Sequence, residues 1–198
     1  MLFKLKQKKK TLQIALLALF TAIIILQNFI PFLGYIPLGV LNLTIIHVTV
    51  IIAAILLGPK DGAIVGGVWG TITFIRAFVW PTSPLAPIVV VNPLISILPR
   101  ILIGVVAGYV FIWAKKWAHS KIFAAGLAGV LGSLTNTILV LGQIYLLYRG
   151  QSQAMYGLDT AALMPYLLGL VATNGLPEAL IAAVVSPAVA LPLAKRIK

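Results

Sequence analysis

Arg100 sits in an apolar run with no acidic residue near it in sequence. Val91-Asn92-Pro93-Leu94-Ile95-Ser96-Ile97-Leu98-Pro99 precedes it and Ile101-Leu102-Ile103-Gly104 follows. A charge at membrane depth costs several kcal/mol unless it is paired or hydrated, so such an arginine marks a functional site by default. Pro93 and Pro99 leave backbone groups unpaired, which suits a cavity wall better than a lipid-facing helix. The rest of the chain is expected to be built around this arginine.

The setting is a polytopic membrane protein. Apolar residues make up 61% of the chain, against roughly 45–50% in soluble globular chains. Apolar runs follow one another at Thr11–Ile30, Asn42–Leu57, Ala63–Phe78, Asn92–Trp113, Ile122–Leu147 and Thr160–Ala194. The first, about 20 residues, is long enough to cross the hydrocarbon. Together they predict an all-α membrane protein of six transmembrane helices in a single integral membrane domain, 1–198, with a basic N-terminal segment at 1–10. No small-residue cleavage site follows the first run, so it reads as mature protein rather than a signal peptide.

The formal net charge is +12. With the N-terminus in the cytoplasm and the runs alternating, the cytoplasmic set is Lys4, Lys6, Lys8, Lys9, Lys10, Lys60, Lys115, Lys116, Lys121, Lys195, Arg196 and Lys198. The outer loops keep only Arg149, and Arg76 and Arg100 stay at membrane depth. This is the positive-inside distribution. It places both termini in the cytoplasm and explains the charge without a nucleic-acid partner. Arg76, near the end of its run, is expected to be structural and to reach the interface.

Pro31–Gly39 and Trp80–Pro87 are turn-rich loops carrying aromatic residues, and Gly58–Gly62 reads as a tight turn. Gly62, Gly66 and Gly70 on the third run, and Gly104 and Gly108 on the fourth, give smooth faces for close helix packing. Ala15, Ala18 and Ala22 do the same on the first run, toward either another helix of this chain or a partner. His47, alone in the second run, is expected to be packed and hydrogen-bonded rather than a ligand or proton carrier.

No catalytic constellation is visible. The acidic residues are Asp61, Asp159 and Glu178, of which only Glu178 falls within a run, and there is no HExxH, P-loop or Ser/His/Asp set. Without cysteine there is no disulfide and no thiol nucleophile. The chain needs no cofactor of its own, is not expected to be an enzyme, and has no motif for hydrolysing ATP. Transport energy must come from an ion gradient or another protein. The polar residues in or beside the runs are Asn92, Arg100, Asn136, Gln143, Asn174 and Glu178. One reading makes them polar glue, with Arg100 and Glu178 as a structural salt bridge. The other makes them a solute pocket in the outer half. There Arg100 offers a planar fork to a carboxylate, asparagines meet hydroxyls and amides, and Trp69, with Thr73 on the same face, supplies a wall.

The order of these features resembles the substrate-binding S component of energy-coupling factor transporters. The resemblance rests on the basic N-terminus followed by Ala18-Leu19-Phe20-Thr21-Ala22, and on the stretches 31–39, 55–63 and 92–104. It implies a small vitamin-binding subunit, in the cell membrane of a Gram-positive bacterium. That subunit docks on a transmembrane scaffold and two ATPases, which would hold the ATP and Mg. It further implies that Ala15, Ala18 and Ala22 face the scaffold. The loops bearing Phe32, Tyr35 and Trp80 would close over the vitamin. Within the family the chain looks most like a pantothenate-type member, with a hydroxymethylpyrimidine-type member or another water-soluble vitamin as the alternative. The reading of the polar residues as a pocket makes the expected substrate-binding set Trp69, Thr73, Asn92, Arg100, Asn136, Asn174 and Glu178. A stand-alone secondary transporter moving protons through Glu178 and His47 would need inverted repeats, and none is evident. An intramembrane scaffold without a solute is the remaining reading.

Overall fold

A computed structural model describes residues 2–30, 32–38, 41–81, 86–157 and 159–197, without the side chains of 2–9, 36–38, 41, 42 and 154. The loop positions Pro31, Gly39 and 82–85, the terminal Lys198, and the side chains of Lys4, Lys6, Lys8 and Lys9 lie outside the described residues.

The chain is an all-α membrane protein with one small exception. Helices α1 (Leu2–Phe29), α2 (Ile46–Leu57), α3 (Pro59–Val79), α4 (Pro93–Ser96), α5 (Leu98–Trp117) and α6 (Lys121–Tyr148) are followed by α7 (Ser152–Tyr156), α8 (Thr160–Leu170) and α9 (Leu176–Ile197). Among the described residues five stretches are long and apolar enough to cross a membrane: Lys10–Phe29, Pro59–Val79, Pro93–Trp117, Lys121–Gln151 and Thr160–Ile197. The exception is an antiparallel hairpin, β1 (Tyr35–Leu38) with β2 (Leu41–Thr44), in register Tyr35↔Thr44 to Leu38↔Leu41.

The hairpin corrects two expectations. The stretch from Pro31 is partly strand, and the second apolar run is a helix only from Ile46. Leu41-Asn42-Leu43-Thr44 alternates with the period of a strand before the continuous apolar run begins. With 12 residues, α2 is about 18 Å long, short of a ~30 Å hydrocarbon core. It is nevertheless the centre of the molecule. Every residue from Ile46 to Ile55 is buried, and α2 packs against α1, α3, α5, α6 and α9. A helix that is apolar all round belongs in such a place.

The tight turn expected at Gly58–Gly62 narrows to one residue. Gly58 takes φ 101°, and Pro59 already opens α3, since a proline at the first helical position lacks only an N–H that would be unpaired anyway. Asp61 is therefore a buried residue of a spanning helix, not a loop residue, and it accepts a hydrogen bond from Gln13 of α1. The basic N-terminal segment likewise belongs to α1, which is helical from Leu2.

The glycine faces of α3 and α5 meet. A Cβ on Gly66 would collide with the Arg100 carbonyl, one on Gly70 would reach within 2.7 Å of the Ile97 Cα, and one on Gly104 would strike the Gly62 backbone. The backbones can approach this closely only because no side chain stands between them. Arg76 closes the other end of α3. Its guanidinium donates to the Asn28 carbonyl and lies 5.7 Å from the Phe29 ring centroid. Asn28 is in the last turn of α1, where carbonyls lack helical donors and attract cations, so the residue is structural as expected.

Candidate functional site

The site is set by where the chain breaks its helices. Asn92 caps α4, its side-chain oxygen accepting from the Leu94 amide at 3.0 Å. Pro99 has no N–H, so the Ile95 carbonyl four residues back loses its helical donor. Arg100 takes that place: Nη1 donates to the Ile95 oxygen at 2.6 Å. The unpaired backbone group expected beside the arginine thus exists, and the arginine itself occupies it. The guanidinium carbon stands 5.1 Å from the Trp69 ring centroid, a cation–π geometry that stabilises a partly desolvated charge. Trp69 is 1% exposed. The α3 glycines fix the approach, because Gly66 abuts the Arg100 backbone and Gly70 abuts Ile97.

Opposite lies the start of α9. A π-helical turn at Val171–Gly175 delivers Glu178, which is buried. Its carboxylate accepts from the Thr44 amide at 2.8 Å, which ties the base of the hairpin to α9. Tyr35, the register partner of Thr44, and Glu178 are the titratable neighbours of Arg100. Among the described residues no ion pair joins Arg100 to Glu178. The structural salt bridge between them does not form, because each group has a backbone partner instead.

Arg100 Nε, Trp69 Nε1 and both ring nitrogens of His47 are buried without a hydrogen bond around this pair, and others lie elsewhere, on Asn28, Arg76, Ser133 and Ser186. His47 is packed as expected but not hydrogen-bonded. Its neighbours are the main chains of Thr44 and Glu178, and neither contact reaches normal geometry. Burying polar groups unpaired is expensive. Several such atoms beside a guanidinium make this cluster the place where a polar solute would gain most by binding.

The residues expected to bind do not all converge. Trp69, Arg100 and Glu178 come together with Tyr35, Thr44 and His47. Thr73 turns its hydroxyl back to the Trp69 carbonyl, Asn92 caps α4, and Asn174 accepts from Thr173 Oγ1. Asn136 and Gln143 on α6 each keep a buried side-chain oxygen without a partner. Among the described residues no hydrogen bond ties Asn92, Asn136 or Asn174 to the Arg100 group. Phe32 and Trp80 stand 72% and 69% exposed, Phe32 at a positive φ of 66°, and Tyr35 is half-buried. Thr44 and His47 were not legible as site residues. The only signal was a histidine in an apolar run, which packing explains just as well.

On the other side of α1, Ala15, Ala18 and Ala22 are all exposed. They therefore do not serve packing within the chain.

Residues 12–190 match the family described as "ECF transporter, substrate-specific component". The chain belongs to that family. It is 35% identical over 199 residues to the "Pantothenate transporter PanT" of Leuconostoc mesenteroides subsp. mesenteroides, covering 94% of this chain and 96% of that protein. It is 34% identical over 203 residues to the "Pantothenic acid transporter PanT" of Lactococcus lactis subsp. cremoris, covering 96% and 97%. A substrate-specific component accounts for unpaired polar groups inside an apolar bundle that has no catalytic set.

Proposed function

We propose that this substrate-specific component captures pantothenate from outside the cell and delivers it through a separate energy-coupling module. The observation that carries the reading is the guanidinium of Arg100, seated over Trp69, anchored through Nη1 and with Nε unpaired inside the bundle. A carboxylate is its natural complement. Pantothenate carries one, and its amide and hydroxyls suit the unpaired acceptor of Asn136 and the side chain of Asn174. Trp69 forms the wall. Glu178 holds the hairpin through Thr44, while Asn92 and Thr73 shape α4 and α3 beneath the solute. The two relatives named for pantothenate support the choice of solute. Phe32, Tyr35 and Trp80 close over the pocket.

In the same reading the chain crosses the cell membrane of a Gram-positive bacterium six times. The α2 segment is the short central crossing, and both termini are cytoplasmic. The exposed Ala15, Ala18 and Ala22 receive the transmembrane scaffold subunit, and two partner ATPases hydrolyse the ATP. The orientation is checked by single cysteines at exposed positions, Gln153 and Ser120. In intact cells an impermeant thiol reagent should label Gln153→Cys and spare Ser120→Cys; the opposite pattern rejects the topology. Mass spectrometry of the small molecule released from the purified chain checks the solute. Pantothenate is expected, and a pyrimidine would replace the reading with its alternative.

A further inference from the structure

At the end of the bundle away from Arg100 there is a groove of about 1000 Å³ between α2, α5, α6 and α9. Lys115 lies about 22 Å along α5 from Arg100 at 1.5 Å per residue, so this is a separate place. Its floor is apolar, with Phe111, Ile122 and Leu191, and its rim carries Lys115, Lys121 and Lys195. No acidic residue lines it. A cavity of about 500 Å³ continues it past Phe111 to Lys116.

The charges and the apolar surface are separated along the membrane normal. Lys115 lies in the last turn of α5, Lys195 in the last turn of α9, and Lys121 opens α6. All three are at one level, where helices end. The groove continues along α9 to Val184, about 16 Å deeper at 1.5 Å per residue, close to half of a ~30 Å hydrocarbon core. A protein helix laid along the groove would find charged partners at one end only. A cationic rim over an apolar slot one leaflet deep instead matches a phospholipid with a negative headgroup.

We propose that this groove binds an anionic glycerophospholipid from the lysine-rich leaflet. Its phosphate lies among Lys115, Lys121 and Lys195, and its acyl chains lie along Phe111, Ile122 and Leu191. The lipid ties the ends of α5, α6 and α9 together.

The test is native mass spectrometry of the full chain in detergent, titrated with phosphatidylglycerol, phosphatidylcholine or inorganic phosphate. Wild type should retain phosphatidylglycerol at least about tenfold over phosphatidylcholine. At about fivefold per lysine near an anionic surface, the triple variant Lys115→Gln/Lys121→Gln/Lys195→Gln should lower that retention about 100-fold. Pantothenate binding should stay within about twofold, because the two places lie on opposite ends of α5. If the triple variant does not fold, Lys195→Gln alone should still cost about fivefold, and Lys116→Gln, outside the main groove, should cost little. Equal retention of phosphatidylcholine, unchanged retention in the variants, or displacement by inorganic phosphate would each overturn the proposal.

Discussion

Gly62, Gly66 and Gly70 on α3 are all buried, whereas Ala15, Ala18 and Ala22 on α1 are all exposed. Both sets place small residues three or four positions apart on one face of an apolar helix. On α3 the face is filled by the backbones of α2 and α5, so close that a methyl group would collide. On α1 nothing among the described residues covers it. Small-residue spacing therefore signals close helix approach but does not say whether the approaching helix is inside or outside the molecule. The two faces divide the work. The α3 face positions the Arg100 backbone from within, and the α1 face stays exposed, where we propose that a partner docks.

The comparison breaks most sharply at neighbouring glycines. Gly66→Ala drives a Cβ into the Arg100 carbonyl, while a Cβ on Gly67 meets Ile101 Cγ1 at an ordinary 3.5 Å. Overpacking against backbone costs roughly 1–3 kcal/mol or more, and here it displaces the arginine too. Gly66→Ala should weaken pantothenate binding about 100-fold by isothermal titration, and Gly67→Ala by no more than about twofold. Equal effects would mean that α3 and α5 do not set the site.

Arg100→Ala follows. A desolvated charged hydrogen bond contributes about 1.5–3 kcal/mol, so pantothenate affinity should fall roughly ten- to a hundred-fold. Arg100→Lys should restore only part of it, because an ammonium lacks the fork. Glu178→Gln is milder. It keeps an acceptor for the Thr44 amide but removes the charge, and a charge-assisted bond is about twice as strong as a neutral one. A loss of about fivefold is expected, visible as faster dissociation as the hairpin loosens. A loss as large as that of Arg100→Ala would show that the carboxylate touches the solute. The smallest effect on binding belongs to α1. Ala18→Trp or Ala22→Trp should leave pantothenate affinity within about twofold while abolishing co-purification with the scaffold and ATPases. If binding is lost as well, the face is not external.

Much of this was legible in the chain. The glycine spacings foretold close packing on α3 and on α5, though not that the two faces meet, and the prolines around Arg100 foretold unpaired backbone groups. That Arg100 itself would take the Ile95 carbonyl was not read from the sequence and is seen only in the folded chain. The hairpin was not legible, because Leu41–Thr44 runs into α2 with no capping side chain at Ile45 to mark the boundary. Nor was the role of Glu178. Its partner, Thr44, is 134 residues away, and only the folded chain brings a backbone amide to compete with Arg100 for the carboxylate. His47 was hidden by composition, since an apolar run says that a residue is buried and nothing of whether its nitrogens are paired.

The central claim is that Arg100 recognises the carboxylate of pantothenate. It is tested most directly with pantothenol, the alcohol that lacks this group, titrated beside pantothenate into wild type and Arg100→Ala. Wild type should prefer pantothenate by roughly ten- to a hundred-fold, and Arg100→Ala should lose most of the preference while pantothenol binding changes little. If the substitution weakens both ligands equally, the arginine only holds the helices together and the account is wrong.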